Sequence, residues 1–319
     1  MIHTLVLRCS ELSAVSTCYI ANHGSFYGAE KVYIATPSDP LGIKRVIFDR
    51  PSIIRKIPSV FFGTFPRINE IELRNTSIRV VTRESLALAR NVEAVQLDRS
   101  KIRDIQDFAF EAMTRLRLVN LFSNELLVVF RDTFSGAPKI EAIDLQANQI
   151  ERIEDGAFSI WELKVLNLSD NRLRTFSNAV FGRAYHLKEL YLARNHLTHI
   201  GQMFFYLNRL TAIDLSGNVG VDDFNLDVFA VMPLLRELHL AKMGLHSVPD
   251  TADGKAWPSS LLILNLAGNH LHQPNILRVL LRLFGSLRSL NLQNNDFDML
   301  DEADQANVLF PGLVAFKWQ

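Results

Sequence analysis

A short pattern of apolar and polar positions recurs along most of the chain at a nearly constant spacing. It reads L-x-x-L-x-L-x-x-N-x-L, as in the segments Leu163–Leu173 and Leu187–Leu197. Successive copies begin 23 to 26 residues apart, which predicts stacked structural repeats. Position 1 of the complete copies is occupied, in chain order, by Ile43, Ile68, Val92, Leu116, Ile140, Leu163, Leu187, Leu210, Leu235, Leu261 and Leu287.

The alternation within one copy predicts a short strand. Positions 4 and 6 point to the same face of a strand, and positions 1 and 11 also turn inward. One repeat cannot bury this apolar side alone, so neighbouring repeats must stack. We therefore predict an α/β leucine-rich repeat solenoid, a horseshoe with a concave parallel sheet and convex loops or short helices. Residues 1–42 would form a leader, and residues 43–319 a repeat domain of eleven full copies and a truncated twelfth.

Two further rows of the repeat predict internal structure. Asparagine at position 9 can bond the backbone of adjacent turns, and Thr76 and Ser100 can replace part of that bonding. Pro51 and Met243 cannot, so we expect irregular turns there. The asparagines are Asn124, Asn148, Asn171, Asn195, Asn218, Asn269 and Asn295. A phenylalanine row predicts a stacked core spine, formed by Phe110, Phe134, Phe158, Phe181 and Phe205, with Phe62 and Phe229 one residue out of phase.

Two segments depart from the regular repeat. The run Lys31–Ile34 alternates as a strand does, and we expect it to pair onto the sheet edge of the first repeat. Between Gln273 and Gly285, a proline near the start and a glycine at the end predict a helix.

Catalytic patterns are missing from the sequence. It contains no nucleophile elbow, zinc-protease motif, phosphate-binding loop or dinucleotide fingerprint. His196 and His199 flank a bend without a third nearby ligand, so we predict no metal site, no cofactor and no enzymatic activity. The net charge is zero, which gives no reason to expect nucleic acid, and no apolar stretch reaches the roughly 18 residues of a membrane span.

Function must then come from the outward strand positions 2, 3, 5, 7 and 8. The simplest interpretation is that these side chains are only solvated. Aromatic and arginine side chains dominate binding hot spots, however, so exposed ones on the concave face are candidate contacts for a protein partner. The candidate protein-binding residues are Arg74, Arg99, Phe122, Tyr191, Arg194 and His239.

The leader and two sequons bear on the cellular compartment. Cys9 and Cys18 are the chain's two cysteines, and they are either free thiols of an intracellular protein or a disulfide of a secreted one. Their confinement to the leader favours the disulfide. The candidate N-glycosylation residues are Asn75 and Asn167. Met1–Leu7 is apolar but is followed at once by Arg8, so either the protein is cytosolic or its N-terminus lies further upstream.

The repeats resemble extracellular-type leucine-rich repeat proteins of animals. The resemblance lies in the elements Gln106–Phe110 and Glu154–Phe158, which precede the phenylalanine row. The leader resembles that of insect members, especially the mosquito leucine-rich immune proteins. This second likeness rests on the cysteine pair, Val32-Tyr33, and the spacing Ile53-x-x-x-Ile57-Pro58-x-x-x-Phe62.

That resemblance implies a secreted binding protein with a role in innate immunity. The insect proteins carry a cysteine cluster and a coiled coil after their repeats, and neither occurs here, so coiled-coil dimerisation is not implied. We therefore predict a non-enzymatic protein-binding module, secreted or part of a cell-surface ectodomain, that recognises a protein through its concave face. An intracellular leucine-rich repeat scaffold or adaptor is the alternative.

Overall fold

The computed structural model describes residues 4–11, 16–21, 31–35, 40–48, 54–57, 59–200, 204, 207–220, 226–229, 232–248, 260–297, 306 and 310–318. The chain divides into two compact units. Unit 1 comprises Met1–Leu163 with Ala179–Ala184, and unit 2 comprises Lys164–Asn178 with Tyr185–Gln319. Both are parallel β-sheet solenoids with few helices, which confirms the predicted fold class.

Unit 1 is organised around one sheet whose strand order is β3-β1-β2-β4-β5-β7-β9-β11. Two short parallel pairs, β6 with β8 and β10 with β12, lie outside this sheet. The strands are β1 (Thr4–Glu11), β2 (Thr17–Ala21), β3 (Lys31–Ala35), β4 (Arg45–Phe48), β5 (Glu70–Glu72), β6 (Val80–Val81), β7 (Ala94–Gln96), β8 (Asp104–Ile105), β9 (Leu118–Asn120), β10 (Val128–Val129), β11 (Ala142–Asp144) and β12 (Arg152–Ile153). The helices are α1 (Val60–Thr64) and α2 (Arg83–Leu86).

Unit 2 has a parallel sheet in which each strand pairs with the next along the chain. Its strands are β13 (Val165–Asn167), β14 (Glu189–Tyr191), β15 (Ala212–Asp214), β16 (Glu237–His239), β17 (Ile263–Asn265), β18 (Ser289–Asn291) and β19 (Ala315–Lys317). Helix α3 (Ile276–Leu283) confirms the helix predicted between Gln273 and Gly285. A 3₁₀ turn occupies Leu226–Phe229, and another, Asn178–Val180, begins with the last residue of the first segment of unit 2 and continues in unit 1.

The leader contributes a strand in the repeat register. Strand β2 pairs in parallel with β4, and buried Cys18 and Ile20 lie opposite Val46 and Phe48. The predicted strand at Lys31–Ile34 forms, but it pairs with β1. Its predicted position beside the first repeat is therefore wrong. Strand β2 takes that position because its inward residues continue the apolar row of the repeats.

The position-9 asparagines form the predicted internal bonds. Asn195 donates to the carbonyls of Leu168 (2.9 Å) and Leu192 (3.0 Å) and accepts from the N–H of Leu173 at 3.0 Å. In the repeats without asparagine, the hydroxyls of Thr76 and Ser100 lie 2.8 Å apart, as expected for partial replacement. The same carbonyls and N–H groups recur in each turn, so this row serves the solenoid rather than a ligand.

The irregular turn expected at Met243 is not found. Lys242 before it has the same φ as the residues at position 8 of regular repeats. The amide oxygen of Asn269, one repeat further on, accepts from the backbone N–H of both Met243 (2.9 Å) and Leu245 (3.2 Å). The next repeat thus supplies part of the missing bonding. Pro51 lies outside the described residues.

The phenylalanine row forms a stacked core, with one change of residue. Phe134 stacks on Phe110 and Phe158, with ring centroids 5.8 and 6.0 Å apart. In unit 2, the ring that stacks on Phe229, at 6.2 Å, belongs to buried Phe204. Phe205, which we had placed in the row, lies outside the described residues. Phe62 and Phe181 are buried as well.

Candidate functional site

The predicted contact residues fall into two sets, one in each unit. Arg74, Arg99 and Phe122 belong to unit 1, whereas Tyr191, Arg194 and His239 belong to unit 2. The arginines are exposed, and the other three side chains are half-buried. Each set lies at positions 5, 7 or 8 of its repeats, on the solvent side of the short strands.

Position 5 carries a structural bond that the sequence pattern did not reveal. Wherever this position is Asn or Asp, its side-chain oxygen accepts from the backbone N–H two residues later, at 2.9–3.1 Å. Only an oxygen can face that N–H, so the orientation of each amide is fixed, and each asparagine turns its NH₂ group away from the bond. The residues are Asn120, Asp144, Asn167, Asp214, Asn265 and Asn291.

The exposed residues Arg99 and Arg194 both occupy position 8, which has an unusual backbone conformation. Arg99 and Arg194 have positive φ angles of 54° and 52°, in the left-handed region where the chain leaves the strand. The same conformation recurs at this position in other repeats, with φ between 52° and 56°, in Asn75, Ser123, Ala147, Asp170, Lys242 and Asn294. The turn thus sets the direction in which the side chain at position 8 leaves the backbone.

Charged residues of unit 1 form a continuous ion-pair network across three consecutive repeats. Arg45 contacts Glu70 and Glu72, and Arg74 bridges Glu72 (3.5 Å) and Asp98 (3.0 Å). The carboxylates of Glu72 and Asp98 are nearly buried, with side chains 6% and 8% exposed. Arg74 therefore neutralises buried carboxylates, which is a structural role beside any contact with a partner.

Beside this network, Arg99 and Phe122 form an aromatic–cation pair. The guanidinium carbon of Arg99 lies 5.8 Å from the centre of the Phe122 ring. The backbone N–H of Phe122 donates to Asn120, whose amide also donates to Gln96 at 2.9 Å. The backbone beneath the ring is thus fixed, and a half-buried ring with an exposed cation is a suitable anchor for a partner.

Asp144 occupies an outward strand position but was not among the predicted contact residues. Burial raises the pKa of its carboxyl, and the charge of Asp98 raises it further, although the hydrogen bond from the Gln146 N–H lowers it. The signal in the sequence was an acidic residue in the position-5 row. In the structure, it lies close enough to Asp98 for the two carboxylates to interact electrostatically.

In unit 2, Tyr191 is tied to an acidic neighbour. Its hydroxyl donates to the carboxylate of Glu189 at 2.8 Å. Burial raises the pKa of Tyr191 above its usual value, as do the hydrogen bond to Glu189 and the charges of Glu237 and Asp214. Tyr191 thus stays protonated and lies among acidic side chains. Glu189, two residues earlier, is the signal for this in the sequence.

Arg194 and His239 differ in whether their side chains already have a partner within the protein. Arg194 makes a two-point ion pair with Asp170, which raises the pKa of the guanidinium despite some burial. His239 is the last residue of β16, and its imidazole has no hydrogen-bond partner among the described residues. Arg194 is therefore already engaged in an ion pair, whereas the imidazole of His239 is available for a hydrogen bond with a ligand.

The two sequons differ in accessibility. Asn75 is exposed, whereas Asn167 is half-buried and its amide oxygen accepts from the N–H of Ser169. Leu168 and Ser169 are buried. Within the folded chain, Asn75 is thus the more accessible of the two amides.

The described residues contain no group of three or more His, Cys, Asp or Glu side chains suited to a metal ion. No helix in the same residues is long and apolar enough to cross a membrane.

Part of the chain matches a known protein family. Residues 90–150, 138–197, 161–219 and 185–245 match the leucine rich repeat family. A mouse protein, tubulin-specific chaperone E, is 30% identical over 125 residues, which cover 37% of this chain and 23% of that protein. The chain thus spans less than a quarter of the length of this curated relative.

Several solved structures share the fold. The APL1 leucine-rich repeat domain is 20% identical, with a TM-score of 0.59 over 92% of this chain and 84% of that one. A chain of the LRIM1/APL1C complex has the same identity and TM-score over 92% of this chain and 60% of that one. An internalin of Listeria monocytogenes is 15% identical, with a TM-score of 0.67 over 96% of this chain and 87% of that one. At these identities, the similarity establishes the fold alone.

Proposed function

We propose that this leucine-rich repeat protein is a protein-binding module that recognises its partner through the solvent face of its parallel sheet. The observation that carries the proposal is the Arg99–Phe122 pair, in which a half-buried ring and an exposed guanidinium stand side by side. Aromatic and arginine side chains contribute most of the binding energy at protein interfaces. Solvation alone gives no reason for an aromatic side chain at this place.

The second part of the proposal is an extracellular location, secreted or as an ectodomain, with a role in innate immunity. The resemblance of the leader to insect immune proteins supports it, as does the fold shared with APL1 and LRIM1/APL1C. Within the leader, Cys9 lies opposite Ile20 in the β1–β2 ladder and is a diagonal neighbour of Cys18. Cys18 is buried and is not a free thiol. We propose a Cys9–Cys18 disulfide and a glycan at Asn75.

An intracellular scaffold is the second candidate. It is favoured by the 30% identity with mouse tubulin-specific chaperone E. Mass spectrometry of the non-reduced protein from its native source separates the two. A Cys9–Cys18 peptide and a glycan on Asn75 are expected for the extracellular protein. Free thiols at both cysteines with an unmodified Asn75 would contradict that location.

Quantitative affinity capture tests the binding surface. Wild-type bait is compared with the Arg99→Ala/Phe122→Ala double variant and with Leu127→Ala, a matched loss of an exposed apolar side chain outside the sheet face. We expect a partner that is retained by wild type and Leu127→Ala and lost with the double variant. A partner retained equally by all three baits would contradict binding through this pair.

A further inference from the structure

The sheet face of unit 2 presents two ordered rows of side chains, most of them at least partly exposed. The register aligns position 3 of consecutive strands from β14 to β19 in one row and position 5 in the other. The position-3 row is Glu189, Ala212, Glu237, Ile263, Ser289 and Ala315. The position-5 row is Tyr191, Asp214, His239, Asn265, Asn291 and Lys317.

The first half of these rows, over β14 to β16, is rich in hydrogen-bond acceptors. It carries the carboxylates of Glu189, Asp214 and Glu237, and no lysine or arginine. All three charges raise the pKa of Tyr191, so their potentials overlap at one place on the face. Arg194 is a nearby cation, but it is paired with Asp170.

In the second half, over β17 to β19, the charged and amide groups that remain free to bind a ligand are all hydrogen-bond donors. The side-chain oxygens of Asn265 and Asn291 are occupied by backbone N–H groups, so their NH₂ groups are what remains for a ligand. Neither NH₂ group donates to a described residue, and the Lys317 ammonium has no ion pair among those residues. No carboxylate stands in this part of either row.

A shallow depression marks the donor half. It has a volume of about 140 Å³ and is lined by the position-5 side chains of β16 to β19 together with Ile263, Ser289 and Ala315. This volume suits one carboxylate-bearing side chain or a chain-terminal carboxylate. His239 forms its boundary with the acidic half.

We propose that this face binds an extended polypeptide segment of opposite polarity, laid across the strands. Its basic residues lie over Glu189, Asp214 and Glu237, and its acidic residue enters the depression between His239 and Lys317. Six strands about 4.8 Å apart span about 24 Å, the length of about seven extended residues. The inference rests on the proposed function, since it specifies what kind of protein segment the sheet face takes.

Two peptides of identical composition test it with the full chain. One ten-residue peptide carries four lysines at one end, two glycines, and four glutamates at the other end. Its isomer alternates lysine and glutamate around the same glycines. We expect the block peptide to bind at least about tenfold more tightly in a fluorescence anisotropy titration, and to weaken as salt is added.

Substitutions in each half of the rows test separately whether that half contributes to peptide binding. Glu189→Gln/Glu237→Gln and Lys317→Glu are each expected to weaken the block peptide about tenfold or more. Asp296→Asn, which removes an exposed carboxylate outside the rows, should leave its affinity unchanged. Unchanged thermal unfolding of each variant shows that the fold is intact. Equal affinity for the two isomers, or affinity unchanged in the row variants, would overturn the inference.

The outcome is separable from that of the proposed function. If neither peptide binds while a captured partner still depends on Phe122, the polarity inference fails and the sheet-face proposal stands. If the block peptide binds as described while Arg99 and Phe122 prove dispensable for the partner, the unit 1 anchor fails instead.

Discussion

The guanidinium of Arg99 lies over the ring of Phe122, 5.8 Å from its centre, although the two residues belong to different repeats. Arg99 occupies position 8, where φ is 54°, and Phe122 occupies position 7 of the next repeat. The turn geometry and the stacking of repeats thus bring them together. Such a contact is worth about 0.5–1 kcal/mol at an exposed site, enough to orient the arginine.

The first prediction concerns the asparagine row. Asn195→Ala removes four hydrogen bonds at a site that is 3% exposed. It leaves the buried N–H of Leu173 unpaired, whereas the carbonyls that Asn195 bonds keep other donors. We expect the free energy of unfolding to fall by about 3 kcal/mol. Urea denaturation measures it. Asn291→Ala, which loses one hydrogen bond at a half-buried site, should cost about 1 kcal/mol or less.

The phenylalanine core of unit 1 gives a second prediction. Phe134→Ala leaves a cavity between Phe110 and Phe158 and should lower the free energy of unfolding by about 3–5 kcal/mol. Leu127→Ala, at a side chain that is 48% exposed, should change it by less than about 1 kcal/mol. Similar losses for the two variants would mean that the stacked rings are not the core of this unit.

Phe108 is in an unfavourable backbone conformation. It has φ of 59° and stands where the equivalent repeat has Gly156, with φ of 86°. Phe108→Gly should therefore raise the free energy of unfolding, by about 1 kcal/mol. Gly156→Ala should lower the free energy of unfolding by about 1 kcal/mol. The cost comes from backbone strain alone, since the added Cβ would lie no closer than 3.7 Å to its neighbours and would not clash. A destabilised Phe108→Gly would show that packing of the ring outweighs the strain.

Asp144 provides a pH prediction. Its folded-state pKa is raised, chiefly by burial, so the folded protein binds the proton more tightly than the unfolded chain does. Its contribution to stability is present below the unfolded-state pKa and is lost as pH rises through the folded-state pKa. Asp144→Asn keeps an oxygen that can accept from the Gln146 N–H. Its free energy of unfolding, relative to that of wild type, should rise as pH increases from about 3 to about 7. A pH-independent difference between the two would contradict this assignment.

The fold could be predicted because stacking imposes it on the sequence. Leu, Asn and Phe at fixed positions have one geometric solution, and Asn195 and Phe134 occupy it as expected. The structure differs from the prediction at places where a different residue fills the structural role that the repeat pattern assigns. Cys18 takes an apolar position of the row, which concealed a strand in the leader, and Asn269 supplies bonds at the Met243 turn.

The candidate surface was less predictable because outward positions follow no single rule. Arg99 and Arg74 look alike in the sequence, yet Arg74 is engaged by Glu72 and Asp98 while Arg99 lies on Phe122. Which outward polar groups remain available depends on bonds such as the one from Asn265 to the Ala267 N–H. Those bonds become evident only when three-dimensional distances are known.

The affinity of a purified partner for variants of the Arg99–Phe122 pair tests the central claim most directly. Calorimetric titration of wild type, Arg99→Ala, Phe122→Ala and Leu127→Ala gives the four dissociation constants under one set of conditions. We predict that each change in the pair weakens binding at least about tenfold, a loss of about 1.4 kcal/mol, and that Leu127→Ala binds as wild type does. Equal dissociation constants for all four proteins would contradict recognition through this surface.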